Sequence, residues 1–154
     1  MLSLEQALER LLAGTTPLAE TEAVSTFDAL GRVLAAEVAS ALDVPPHDNS
    51  SMDGYALRVA DVAPGRVLPV AQRIAAGQVG TRLEPGSAAR IFTGAPVPQG
   101  ADAIVMQEET ESDGDAVIVK KTPQPGEWLR RRGSDIAKGA EILTAGRRLL
   151  PQDT

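Results

Sequence analysis

Three short stretches carry the residue types with which a protein does chemistry. Asp48-Asn49-Ser50-Ser51-Met52-Asp53-Gly54-Tyr55 gathers two carboxylates, an amide and two hydroxyls within six residues. Such a set could hold a hard cation or hydrogen-bond a polar ligand. Equally, it could be an Asx-rich turn whose side chains bond their own backbone. It is not an EF-hand loop, because Met52 stands at a ligand position and no Glu closes the loop. The second stretch runs from Thr93-Gly94-Ala95-Pro96 to Asp102, directly after the apolar Ile91-Phe92. Small residues leave amide N–H groups open, and a threonine at a strand end can contact an oxyanion. A rigid two-proline turn between strands is the other reading. The third is Trp128-Leu129-Arg130-Arg131-Arg132-Gly133-Ser134-Asp135, the one concentrated basic run in an acidic chain. Arginine forks match phosphate or carboxylate, and glycine lets the backbone approach an anion. In a strand, alternation sends Arg130 and Arg132 to one face and Arg131 to the other, so at most part of the run serves one site. A charged edge strand that resists aggregation is the alternative. Trp128 reads as core rather than ligand platform. His47 lies in a proline-rich connection and is not expected to act as a base.

Composition limits what these stretches can do. The chain has 154 residues, 43% hydrophobic, with 21 acidic and 15 basic side chains and a net charge of −6. That balance argues against general binding to nucleic acid or to anionic membranes. The four aromatic residues would supply a base-stacking surface thinly. No cysteine is present, so there is no disulfide framework, thiolate nucleophile or cysteine-based zinc site. A single histidine rules out a multi-histidine metal site and makes a Ser-His-Asp triad improbable. No apolar run approaches the ~20 residues of a membrane span, and no basic-then-apolar leader opens the chain. The expectation is a cytoplasmic protein.

The elements that position the three stretches can be read from periodicity. Leu4, Ala7, Leu8, Leu11 and Leu12 place one apolar stripe on a helix over Ser3–Ala13, with capping-box spacing between Ser3 and Gln6 and a stop at Gly14. Thr26 to Leu30 reads as one or two helical turns ended by Gly31. Val33 to Val38 either extends that helix or begins a strand, with a helix followed by a short strand as the expected order. Beyond a polar, proline-containing connection at 44–51, strand signals recur over 54–59, 67–74, 88–92, 103–107, 116–120 and 142–143. Ser112-Asp113-Gly114 marks a hairpin between Val105 and Val117, with Glu108-Glu109-Thr110-Glu111 as the solvated strand end entering it. The last residues, Gly146 to Thr154, suggest a strand and then Pro151 opening a helix with no body, as though the chain were cut.

Taken together, the motifs resemble a known family. Asp43-Val44-Pro45-Pro46-His47-Asp48-Asn49-Ser50-Ser51-Met52-Asp53-Gly54-Tyr55-Ala56 is similar to the signature of the molybdopterin molybdenumtransferases, the MoeA-type bacterial enzymes related to the gephyrin E-domain and its plant counterpart. The stretches 90–105 and 130–136 agree, as does Ala29-Leu30-Gly31-Arg32-Val33-Leu34-Ala35, and all occur in the family's order. Ser134 departs from the pattern, since glutamate is common there in relatives.

The resemblance implies transfer of molybdenum from molybdate to adenylylated molybdopterin, with release of AMP and involvement of Mg²⁺. It implies elongated homodimers, with a molybdopterin-adenylyltransferase-type enzyme as a further candidate partner, and no nucleic acid or membrane. The implied fold is α+β and β-rich: N-terminal helices in an elongated domain I, over 1–44 with 140–154, and a compact β-rich domain II over 45–139. The α/β domain III and C-terminal domain IV of the family are expected to be absent from this sequence, leaving it inactive alone. Carried over position by position, the family's contribution from domain II to the dimer-shared cleft falls on Asp53, Thr93, Arg130 and Asp135. Arg130 and Thr93 would meet a phosphate or molybdate oxyanion, and Asp53 and Asp135 would orient substrate or a bound cation. Two other readings stay open: a non-catalytic dimerisation or scaffold module, and a general phosphate-binding β-domain resting on Arg130–Gly133.

Overall fold

The computed structural model describes residues 2–16 and 18–154. The chain divides into two compact units, Met1–Val38 with Leu143–Thr154, and Ala39–Ile142.

In the first unit, α1 (Leu4–Ala13) begins where the sequence places it. The Ser3 hydroxyl accepts from the Gln6 amide at 3.2 Å, and the Gln6 side chain accepts from the Ser3 amide at 3.1 Å. These bonds satisfy two donors that a helix start leaves open. No residue of α1 is buried. A single 3-10 turn, Thr26–Asp28, follows. The expected helix over 33–38 is not formed. Gly31 adopts φ +78°, outside the helical region, and residues 31–34 instead pair with 146–149: Gly31 N–H donates to Leu149 O, Leu34 N–H to Arg147 O, and Leu149 N–H to Arg32 O. The expected short strand does appear, as β1 (Val38–Ala39). The terminal proline opens one 3-10 turn, Pro151–Asp153, held by Arg147 on Asp153 at 2.8 Å.

The second unit is built on strands β2 (Asn49–Ser50), β3 (Gly54–Leu57), β4 (Val67–Ile74), β5 (Ala88–Ile91), β6 (Ala103–Met106), β7 (Thr110–Asp113), β8 (Ala116–Val119) and β9 (Leu129–Arg130). β10 (Glu141–Leu143) pairs with β1, and β2 with β9. The remaining six form one sheet in the order β6-β3-β5-β4-β8-β7. Long β4 joins its two halves: Val67 to Pro69 pair antiparallel with β8, and Val70 to Ile74 pair parallel with β5, with an irregularity between Val70 and Gln72. The hairpin signal lands on β7–β8, where Asp113 faces Ala116 and Gly114 takes φ +58°. Its entering arm starts at Thr110, because a 3-10 turn over Gln107–Glu109 separates it from β6. No strand signal marks β2, and β9 falls where a charged edge strand is only the alternative reading. Two-residue strands carry no alternation to detect.

The central strands are buried on both faces, and alternation distributes their side chains. Tyr55, Leu57, Ala88, Ala103, Val105 and Val117 pack into one cluster, and Ala56, Ala89, Ile91, Ile104 and Ile74 into another. The sheet is thus a fixed frame, and the three chemistry-bearing stretches are the loops at its strand ends. Among the described residues the fold is β-rich, with one α-helix.

Candidate functional site

Backbone hydrogen bonds bring the three loops into one cluster, with residues 48–51 in the middle. On one side, Ser50 N–H donates to Ala95 O at 2.9 Å, Gly94 N–H to Ser50 O at 2.9 Å, and Val97 N–H to Asp48 O at 2.8 Å. On the other side, Ser51 N–H donates to Trp128 O at 3.0 Å, while Asn49 and Ser50 face Arg130 and Leu129 in the β2–β9 pair. Loops separated by about forty positions or more in sequence are thereby bonded to one another.

Of the four candidate residues, the structure forms two pairs. The Asp53 carboxylate accepts the Thr93 amide at 2.8 Å and the Thr93 hydroxyl at 2.7 Å. These two bonds, together with the charge of Arg90, hold the Asp53 carboxyl below its ordinary range. Asp53 is therefore an acceptor at neutral pH, and Thr93 spends its hydroxyl proton on it. Arg130 forms a short ion pair with Asp135, whose other oxygen accepts from Ser134 Oγ at 3.3 Å. Asp135 occupies one end of the Arg130 fork, which leaves further guanidinium N–H donors on an exposed side chain. All four residues are exposed.

The basic run proves to be anchored residue by residue. Arg131 reaches Asp48 at 2.7 Å and Arg132 reaches Asp43 at 2.6 Å. Asp48 also accepts the Arg132 amide, and Asp43 the Lys138 amide, each at 2.7 Å. Those amide bonds are the leading causes that lower both carboxyls from their ordinary values. The sequence reading gave Asp43 and Asp48 no such role. The signal lay in the count: three consecutive arginines and three aspartates at the same motifs' ends. Gly133 closes this corner at φ +69°, where an added Cβ would lie 3.0 Å from Asp43 Oδ1. Asp102, ending the second stretch, is structural: its carboxylate accepts the Val59 amide at 2.7 Å.

Trp128 is packed against the second core cluster, yet its backbone takes φ +56°, a conformation that costs a bulky residue about 1–3 kcal/mol. The surrounding ladder fixes it there, through Ser51 on its carbonyl and Ile104 on the carbonyl of Glu127. Beside the cluster lies a groove of about 400 Å³, lined by His47, Asp48, Arg82, Pro96, Val97 and Arg132 among others. None of the four candidate residues lines it. Among the described residues, no three His, Asp or Glu side chains converge as a cation site requires. The nearby aspartates are already committed to arginine or amide donors.

A six-stranded sheet carrying these three interlocked loops defines a MoeA-type N-terminal module. The family model described as the MoeA N-terminal region (domain I and II) matches residues 2–154, and the chain belongs to that family. Its relatives include the molybdopterin molybdenumtransferase of Haemophilus influenzae, 38% identical over 153 residues that cover 98% of this chain and 38% of that protein. The molybdopterin molybdenumtransferase of Nostoc sp. is 44% identical over 136 residues, covering 84% of this chain and 31% of that protein. The crystal structure of the molybdopterin biosynthesis MoeA protein from Pyrococcus horikoshii OT3 superposes with a TM-score of 0.86 at 35% identity. It covers 97% of this chain and 41% of that one. The chain spans 31–40% of the length of these and other curated relatives. No helix of the described residues is long and apolar enough to cross a membrane.

Proposed function

We propose that this chain forms the domain I and II portion of a cytoplasmic transferase that inserts molybdenum from molybdate into adenylylated molybdopterin, with release of AMP. The observation that carries this reading is the backbone linkage of the three motif loops, which bear the exposed pairs Asp53–Thr93 and Arg130–Asp135. Both substrates are anions. Arg130 offers them planar N–H donors, pre-aligned by Asp135 so that less side-chain freedom is lost on binding. Asp53, held ionised and fixed by Thr93, supplies an acceptor for substrate donors. In this reading the surface is one wall of a cleft shared across a homodimer, the other wall coming from an α/β domain of the partner. An adenylyltransferase-type protein, which makes the adenylylated substrate, is the proposed supplier. The Mg²⁺ implied by the family resemblance finds no ligand set among the described residues.

The test is metal insertion by the protein expressed from its full coding sequence. Asp53→Asn and Arg130→Ala are each expected to lower turnover by about a hundredfold, as for loss of a positioned charged group. Unchanged rates in both would remove the site assignment. The chain by itself is expected to bind without turnover, and efficient insertion by it would overturn the division of labour.

The exposed leucine stripe of α1 (Leu4, Leu8, Leu11 and Leu12) favours a second reading, a dimerisation or scaffold module without chemistry. Self-association with full retention of insertion activity in the Asp53→Asn and Arg130→Ala proteins would select it.

A further inference from the structure

One group outside the two candidate pairs controls the backbone on which Asp53 is mounted. Arg90 Nη1 donates to the carbonyl of Gly54 at 2.9 Å. Arg90 Nη2 donates to the side-chain oxygen of Gln107, and the backbone N–H of the same Gln107 donates to the carbonyl of Asp53 at 3.1 Å. Two consecutive carbonyls, those of Asp53 and Gly54, are therefore tied to one guanidinium, the first through Gln107. Arg90 sits in β5 opposite Tyr55 of β3, three residues before Thr93. It thus links the strand that leads away from Asp53 to the strand that delivers the Thr93 donors.

The guanidinium is itself immobilised. Its carbon lies 4.7 Å from the Phe92 ring centre and 5.2 Å from that of Tyr55, and Tyr55 is buried. Arg73 stands over the same Phe92 ring at 4.7 Å. Among the described residues no carboxylate forms an ion pair with Arg90. Its charge acts on Asp53, where it helps hold the carboxyl in its ionised form. A lysine could carry the charge but could not span both acceptors, because it lacks the planar fork.

We propose that Arg90 is a positioning residue of the site, directing the Asp53 carboxylate toward Thr93 through its hold on the Asp53–Gly54 backbone. This rests on the reading that Asp53 takes part in the transfer. Arg90 need not touch substrate; it acts through Asp53.

Two measurements test it. In the 154-residue chain, the Asp53 carboxyl titration is followed by NMR in the parent, Arg90→Lys and Arg90→Gln. Arg90→Gln is expected to raise the midpoint, and Arg90→Lys to raise it by less. In the protein expressed from its full coding sequence, Arg90→Gln is expected to lower kcat about tenfold with KM for molybdate little changed. Arg90→Lys should restore only part of the rate. Gln107→Leu, which removes the side-chain oxygen that Arg90 bonds and leaves both the charge and the Gln107 backbone N–H in place, should lower kcat without moving the titration as far as Arg90→Gln does. A parent-like Asp53 titration and kcat in a folded Arg90→Gln protein would overturn the proposal. Should Arg90→Gln fail to fold, a parent-like kcat in both Gln107→Leu and Arg90→Lys would do so. Asp53→Asn separates the two readings: if it is fully active, the site reading fails, whereas an inactive Asp53→Asn beside a fully active Arg90→Gln removes only the positioning role.

Discussion

At the scale of single residues, the second unit repeatedly anchors an arginine with an aspartate and gives the carboxylate a backbone N–H as well. Asp43, Asp48 and Asp61 all follow this scheme. Asp61 is the most buried case, with both oxygens bonded to Arg58 at 2.9 Å and the Gly86 amide at 2.8 Å. Arg58 and then Gly86 bring its carboxyl down to about 2 from an ordinary 3.8. Because the folded value lies below the unfolded one, the stabilisation is complete above about pH 4 and is lost as pH falls toward about 2. Asp61→Asn is therefore expected to cost about 2 kcal/mol near neutrality, as loss of a charge-assisted bond does. That difference should shrink steadily below about pH 4. Urea unfolding of both proteins across this range checks it, and a gap independent of pH would refute the assignment.

Among the elements, β3 is the one on which the site depends most. It is flanked by β5 and β6, and Gly54 at its start approaches β6 so closely that an added Cβ would lie 1.9 Å from Val105 O. Only glycine permits this, since the obstacle is backbone and cannot rotate away. Gly54→Ala is expected to destabilise the fold by more than about 3 kcal/mol, the range of severe overpacking. Calorimetry would register it as a large drop in Tm, and a shift of only a few degrees would mean that β3 and β6 can part. The same closeness places Asp53 just outside the last secure rung of the sheet, where a side chain is both exposed and directed.

Over the whole molecule, the two units are held very differently. Buried hydrophobic residues of the first unit are confined to Ala29 and Leu149 among those described, whereas the second contains two clusters of fully buried side chains. Local opening follows the density of buried contacts. Amide exchange is therefore expected to be slowest in β3, β5 and β6 and fastest in α1, which no buried residue ties down. Hydrogen-exchange mass spectrometry would show this ordering, and strong protection of α1 in the monomer would contradict it.

The sequence by itself determined what local rules govern. The capped helix over α1 was legible from Ser3, Gln6 and the leucine spacing, and β4 from a strand signal bounded by turn residues, because both depend on residues a few positions apart. The family was legible too, because long motifs such as 43–56 keep their order. The conformation of 31–34 was not legible, since its pairing with 146–149 depends on a segment more than a hundred positions away. The fate of the arginine run was equally hidden. In a strand, alternation would part Arg130 from Arg131, but nothing in the spacing says that Asp135 and Asp48 receive them. Only tertiary structure decided that, as it decided the hold of Arg90 on the backbone of Asp53. Hydrogen bonds and ion pairs act over about 3 Å, and a sequence does not state which distant residues the sheet will bring within that reach.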